Sequence, residues 1–222
     1  ALAGRFDGSP AQAVPAASGT AAAMAEAWCG AAAGKRDVVY FAVADHAIAG
    51  VLSGGTPMVG VNRRAPAVAW LALNPVERED YRKAGCLEAE VAAAGIVRRF
   101  VWRIKAGDQS SVPDAAGSLA AITLDHIFEA ARAGDGVSIS VIRDTARYLG
   151  MAAANLVAVA DPEILVLGGI MASAADLLLE PVRVEITRRL PASMADALTV
   201  VPAAFGAEAA AIGVTRLAAV RP

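Results

Sequence analysis

The stretch Asp161-Pro162-Glu163-Ile164-Leu165-Val166-Leu167-Gly168-Gly169 decides the fold of this chain. Four successive aliphatic residues before a glycine pair predict a short strand over 163–167 that is buried on both faces and turns into a helix. The pattern continues with a helix over 174–190, a strand over 198–201 and a helix over 207–220. Because strand and helix alternate, this half of the chain is expected to build parallel sheet.

The first half of the chain carries the other predicted strands. Residues 37–44 form a nearly unbroken apolar, β-branched and aromatic run, which indicates a central strand. Residues 48–52 and 57–61 flank Gly54-Gly55, whose glycines supply the positive φ of a hairpin turn, and residues 67–73 are a further strand candidate. We therefore expect an α/β fold of the RNase H-like type, a mixed sheet with three hairpin-linked strands followed by alternating helices and parallel strands.

Four more helices are predicted from composition and periodicity. Residues 20–33 are rich in alanine, and residues 87–104 place apolar side chains at helical spacing with the arginines turned away. Two helices follow over 123–133 and 138–160, and Thr123 is a suitable N-cap for the first of them.

Composition and charge limit the classes of function. With 20 Lys+Arg against 22 Asp+Glu the formal charge is −2, so the chain lacks the basic surface that holds nucleic acid, and DNA contact would need a helix-turn-helix segment outside these residues. Two cysteines cannot form a disulfide framework, which favours a cytoplasmic location. The apolar stretch 151–160 is much shorter than the ~20 residues of a membrane span, and residues 1–5 lack the pattern of a signal peptide.

Five strings, in the same order along the chain, resemble the second lobe of ROK proteins (repressors, open reading frames and sugar kinases), a branch of the actin/hexokinase-type superfamily. They are AAAMAEAW at 21–28 with Gly30, GCLE at 85–88, EAARAGD at 129–135, DPEILVLGG at 161–169 and GAEAAAIG at 206–213. The resemblance implies that residues 18–222 form this lobe and that residues 1–17 are a remnant of, or linker from, a preceding lobe. It also implies a homodimer.

The chain departs from the family pattern at the position of the catalytic base. ROK kinases carry an Asn-Asp pair before the alanine-rich helix, where the aspartate takes the proton of the sugar hydroxyl. The corresponding residues here are Ala17 and Ser18. Because an unactivated serine hydroxyl stays protonated near neutral pH, the ~10²–10⁴-fold rate gain of a positioned general base should be missing.

A second departure affects nucleotide binding. The family's glycine-rich turn after the first strand lets backbone N–H groups approach phosphate, but here residues 44–50 read ADHAIAG, and Asp45 would add negative charge beside the phosphates. Gly168 and Gly169 resemble the turn on the adenosine side of the family site, although a strand-to-helix turn needs glycine in any case. We interpret these two glycines as vestigial, and we expect neither ATP nor Mg²⁺ to be a cofactor.

A third departure removes the family's structural zinc. Trp70 stands where the family has a histidine ligand, and residues 79–86 (EDYRKAGC) stand where it has three cysteines, so that Cys86 alone remains. One thiol cannot replace a four-ligand site, and the ~10–16 kcal/mol of apparent zinc-binding energy must come from packing, to which Trp70 is expected to contribute.

The remaining candidates for ligand contact each allow a structural interpretation. Glu88 is retained from the family's sugar site but could cap a helix, and Trp70 could stack on a sugar ring or fill the core. Asp45 and His46 follow a central strand, where α/β proteins often bind ligands, but could belong to a plain polar loop. Together with Ser18, these are the predicted ligand-binding residues. We predict no metal ligands.

Three functions fit these observations. The first is a non-catalytic ligand-sensing and dimerisation domain of a ROK-type transcriptional regulator that responds to a sugar or sugar derivative. The second is an active ROK-type sugar kinase whose missing groups lie elsewhere. The third is a structural dimerisation module without a ligand.

Overall fold

The computed structural model describes residues 16–220, and the predicted remnant at 1–17 lies almost wholly outside them. The strands are β1 Val38–Val43, β2 Ala47–Ser53, β3 Thr56–Pro57, β4 Ile164–Gly169 and β5 Thr199–Pro202. The helices are α1 Ser18–Cys29, α2 Glu79–Ala84, α3 Cys86–Val91, α4 Ala93–Lys105, α5 Val112–Ala116, α6 Leu124–Arg132, α7 Gly136–Ala160, α8 Ile170–Ser173, α9 Ala175–Thr187, α10 Ala192–Ala197 and α11 Ala209–Val220, with 3₁₀ turns at Val68–Trp70 and Leu119–Ala121.

In this described part, the strands form one mixed sheet in the order β3-β2-β1-β4-β5. β1, β2 and β3 are joined by hairpins and pair antiparallel, whereas β4 lies parallel to both β1 and β5. All six residues of β1 are buried, which confirms the prediction of a central strand. The predicted fold class, including the three hairpin-linked strands, is confirmed.

The two faces of the sheet have cores of different size. Side chains alternate along a strand, so Val39 and Phe41 point to one face and Val38 and Tyr40 to the other. The first face packs on a large aliphatic core that includes residues of α3, α4, α7 and α9. The second packs on the small residues of α1 and on α11.

Glycines allow α1 to pack very closely on its neighbours. A Cβ on Gly19 of α1 would overlap the carbonyl of Ala49 in β2, and one on Gly213 of α11 would overlap the carbonyl of Ala21. The helix is therefore held at near-backbone distance on both sides.

Two predicted elements are wrong, and the strand predicted over 57–61 is only the two-residue β3 at Thr56–Pro57. Residues 67–73 form no strand, because β3 spans only two residues and offers no edge to pair with. They contain a 3₁₀ turn instead, in which Trp70 N donates a hydrogen bond to Ala67 O at 3.2 Å. The helix predicted over 87–104 is broken at Ala92, where the next amide, Ala93 N, donates to Ala44 O at 3.1 Å instead of to a helical carbonyl.

The predicted helix caps and lengths hold better in the second half. Thr123 caps α6 and forms a capping box with His126, whose ring nitrogen accepts from Thr123 N at 3.1 Å. α7 begins at Gly136, where Asp135 Oδ1 accepts from Ser138 N at 2.8 Å. Within the part of the chain that the structure describes, the helices are too short or too polar to cross a lipid bilayer.

Candidate functional site

An open cleft of about 720 Å³ lies beyond the carboxyl ends of the parallel strands β1 and β4. This is where ligands bind in most open α/β sheets. Its walls come from the start of α1, the β1–β2 turn, the β4–α8 turn and residues 203–210. Most of the lining side chains are small and apolar, and the polar ones include Ser18, His46 and Ser173. The cleft is thus open rather than filled by apolar side chains.

Ser18 lies at the N-terminus of α1. It is the first residue of the helix, is exposed and lines the cleft, while Ala17 before it adopts an extended conformation. The structure therefore places a hydroxyl at the position that the family resemblance assigned to the proton acceptor.

Glu88 ties the β1–β2 turn to α3. One carboxylate oxygen lies 3.1 Å from His46 Nδ1 and the other accepts from Ala47 N at 2.9 Å. The hydrogen bond and the charge of Glu88 raise the pKa of His46. Glu88 lies in the first turn of α3, where the helix dipole favours a carboxylate, but it makes no capping hydrogen bond, because its two oxygens bind His46 and Ala47 N.

Asp45 and His46, which are adjacent in that turn, differ in their bonding. Asp45 and His46 are both exposed, but His46 is held by Glu88, so this segment is more than a plain polar loop. The structure brings Ser18 and His46 to one cleft, with Glu88 bonded to the second of them.

Trp70 lies apart from this cleft. Its residue is 58% exposed, so the expectation that it fills the core in place of the zinc is wrong. The 3₁₀ turn that carries it packs through its backbone, since a Cβ on Gly85 would overlap the carbonyl of Ala69. The indole is left at the surface, and its contact with a ligand stays a prediction.

Gly168 and Gly169 are required by the sheet itself. Gly169 has φ 62°, and a Cβ there would overlap the carbonyl oxygen of Val43 on the neighbouring strand, while a Cβ on Gly168 would crowd the Tyr40 hydroxyl. Their presence is explained without a nucleotide, although Gly169 does line the cleft.

A family model described as the ROK family matches residues 17–221. The chain belongs to the ROK family. Relatives of this ROK chain include both enzymes and repressors. A glucokinase of Halalkalibacterium halodurans is 29% identical over 194 residues, which are 86% of this chain and 59% of that protein. The DNA-binding transcriptional dual regulator NagC of Escherichia coli K12 is 31% identical over 158 residues, which are 71% of this chain and 38% of that protein.

Solved structures show the same fold. A ROK family transcriptional regulator described as a homolog of the E. coli MLC protein superposes with a TM-score of 0.80 at 24% identity, covering 91% of this chain and 51% of that one. A ROK family glucokinase from Streptomyces griseus, in complex with glucose and AMPPNP, gives 0.77 at 25% identity, with 92% and 67% covered. This ROK chain therefore spans about two fifths to three fifths of the curated relatives named above.

Sequence reasoning missed the residue that holds the far wall of the cleft. Glu26 of α1 is fully buried, and its carboxylate accepts from Ala31 N at 2.7 Å, Phe205 N at 3.0 Å and Ala204 N at 3.3 Å. Burial and the charge of Glu26 raise the pKa of Tyr40 to about 12. A lone acid within an alanine-rich helix was the available signal, because a buried carboxylate needs such partners.

Tyr81, which stands within the segment that replaces the family's cysteine run, joins a charged cluster around Glu90. Glu90, of which 6% of the side chain is exposed, binds Arg78 Nη1 and Arg99 Nη1 at 2.9 Å each and accepts from the Tyr81 hydroxyl. Arg99 Nη2 also donates to Thr145 Oγ1 of α7 at 2.6 Å. Among residues 16–220, no group of three or more His, Cys, Asp or Glu side chains is arranged to hold a metal ion.

Proposed function

We propose that this ROK chain is the ligand-sensing domain of a transcriptional regulator and that it does not catalyse phosphoryl transfer. The observation that carries the proposal is the hydroxyl of Ser18 at the cleft. A serine without an adjacent base does not remove a proton from a sugar hydroxyl near neutral pH.

The β1–β2 turn supports the same proposal. A phosphate cradle needs backbone N–H groups that a ligand can reach, and glycine provides that access. Here Asp45 and His46 put side chains on the turn, and the N–H of Ala47 already donates to Glu88. The turn is therefore organised by an internal carboxylate, and no ATP, Mg²⁺ or zinc is part of the proposal.

A sugar or sugar derivative is the proposed ligand. Repressors as well as glucokinases are among the relatives, and N-acetylglucosamine is named in one of the repressors. The open cleft offers space, and Ser18 and His46 line it with polar groups. Exposed Trp70 lies apart from the cleft, and Glu88 reaches the cleft only through His46. In this proposal the chain dimerises, and DNA is contacted only by a segment outside these residues.

A sugar kinase is the second candidate, since glucokinases share 27–29% identity with the chain. Release of ADP from ATP across a panel of hexoses and amino sugars, measured on the full-length protein, separates the two. We expect no release from the wild type or from the Ala17→Asn/Ser18→Asp variant, which restores the acid but not the glycine turn. Sugar-dependent release that Ser18→Ala abolishes would contradict the proposal.

Ligand binding itself is tested by thermal shift with the same sugars. A sugar at about 100 times its Kd should stabilise the fold by ~2.7 kcal/mol. We expect one sugar class to raise the melting temperature of the wild type and of the surface control Glu129→Gln, and the shift to shrink in His46→Ala, which removes a side chain that lines the cleft. If no sugar shifts the wild type at millimolar concentration, the chain is a dimerisation module without a ligand.

A further inference from the structure

A second cavity, separate from the cleft, has a wall of arginines. It measures about 540 Å³, lies beside α4 and α7, and shares none of its lining residues with the cleft. The arginines that line it are Arg78, Arg98, Arg99, Arg147 and Arg189. A volume of this size suits a small molecule.

The carboxylates around this cavity do not neutralise its wall. The acids that contact these arginines are Asp80, Glu90, Asp144 and Glu185. Glu185 also binds Arg188, which lies outside the cavity. In the described chain these four acids therefore contact six arginines. Arginine stays protonated in proteins, so a positive charge remains in excess at this place.

The guanidinium groups also keep unused donors. The Nε atoms of Arg98 and Arg99 are buried and have no hydrogen-bond partner in the described chain. Burial lowers the pKa of Arg99, which shows how costly its charge is in this position. An added anion in the cavity would lower that cost, because it would supply countercharge beside the guanidinium group.

Aromatic rings complete the cavity. Trp102 is 56% exposed, and the guanidinium carbons of Arg78 and Arg98 each lie 5.6 Å from its ring centre. The guanidinium carbon of Arg99 likewise lies 6.0 Å from the ring centre of Tyr148. A ring-shaped or planar ligand body can stack beside these groups while its anionic end meets the arginines.

We propose that this cavity binds a small phosphomonoester whose carbon skeleton is a ring. A phosphate dianion presents three oxygens to several guanidinium groups at once, and planar guanidinium forks match that geometry. A single carboxylate has fewer acceptors and half the charge. The site lies outside the cleft, so it would add a second ligand to the sugar of the proposed function.

Phenyl phosphate is the probe, with inorganic phosphate, benzoate and phenol for comparison, in calorimetric titrations of the full chain. We expect phenyl phosphate to bind most tightly, phosphate and benzoate more weakly, and phenol not at all. Added salt should weaken binding, because the attraction is between charges at a partly exposed site.

The decisive variants are two matched pairs of arginines. Arg147→Ala/Arg189→Ala removes two cavity residues that contact nearby acids, Asp144 and Glu185, and spares the buried Glu90 cluster. Arg143→Ala/Arg188→Ala removes two charges from the same helical neighbourhoods outside the cavity, and Arg188 shares Glu185 with Arg189. We expect the first pair to weaken phenyl phosphate binding about tenfold or more and the second by less than about twofold.

Three results would overturn the proposal. They are no binding of phenyl phosphate at millimolar concentration, equal losses in the two double variants, and benzoate binding as tightly as phenyl phosphate. Sedimentation of the wild type tests for a fourth such result, which is self-association. If phenyl phosphate does not disturb that self-association and Trp102→Ala abolishes it, this surface binds a second copy of the chain instead.

Discussion

Of the segments that depart from the ROK pattern, the one at residues 44–50 and the one at residues 79–86 are held in different ways. At residues 44–50 the glycine turn is replaced by small and charged side chains, held by the two hydrogen bonds of Glu88 beside an open cleft. At residues 79–86 the cysteine run is replaced by α2, whose residues join a buried cluster around Glu90. One carboxylate thus holds the first segment, whereas the second joins a network of several charged side chains around a buried acid.

The difference follows from the energies involved. A structural zinc contributes ~10–16 kcal/mol of apparent binding energy, and a hydrogen bond to a charged group contributes only ~1.5–3 kcal/mol. We infer that the bonds of Glu90 replace part of the zinc's hold and that packing replaces the rest. Leu87, Ile96 and Phe100 are fully buried in the large core.

The largest expected effect breaks the charged cluster. Glu90→Ala leaves Arg78 and Arg99 without their buried partner, and removing one member of a buried ion pair costs ~3–5 kcal/mol. Denaturant unfolding measures this loss. Glu90→Gln keeps an acceptor for Tyr81 and should lose less, and equal losses in the two variants would mean that shape rather than charge holds the cluster.

A smaller effect is expected at the turn. Glu88→Ala removes the acceptor of Ala47 N and His46, and we expect a loss of ~1–2 kcal/mol in the same unfolding experiment. Glu88→Gln retains an oxygen for Ala47 N and serves as the control. If Glu88→Ala costs as much as Glu90→Ala, the contrast between the two segments is wrong.

The smallest effect concerns pH. The hydrogen bond to Glu88 raises the pKa of His46 in the folded chain above its ordinary value of about 6.5. The hydrogen bond between His46 and Glu88 therefore contributes fully to the stability of the fold below about pH 6.5, and this contribution is lost as pH rises through the pKa of His46 in the folded chain. Proton NMR titration, with assignment from His46→Gln, should show the raised pKa and its fall in Glu88→Gln. An unchanged pKa in Glu88→Gln would show that Glu88 does not hold the imidazole.

The sequence was enough to predict the sheet, because its central strands are uninterrupted apolar runs and β4 ends in the glycines that its packing requires. It failed where long-range contacts decide. The bond from Ala93 N to Ala44 O breaks a helix that periodicity alone would continue, and the exposure of Trp70 depends on how Gly85 packs.

The candidate site was predicted only in part for the same reason. Ser18 and His46 do reach one cleft, but the spacing of Glu26 and of residues 204–205 gives no hint that they are bonded. Such pairs lie too far apart in the chain for any local pattern to reveal them.

The close packing of α1 also sets rules for engineering a reactive centre in this cleft. Since Gly19 and Gly213 leave no room for even a methyl group, a variant library should keep both fixed. Diversity belongs at Ala44 and Ala203, which line the cleft and are not buried. With both glycines kept, α1 should hold its position, so that a new side chain at position 18 keeps its orientation when residues on the opposite wall of the cleft are changed.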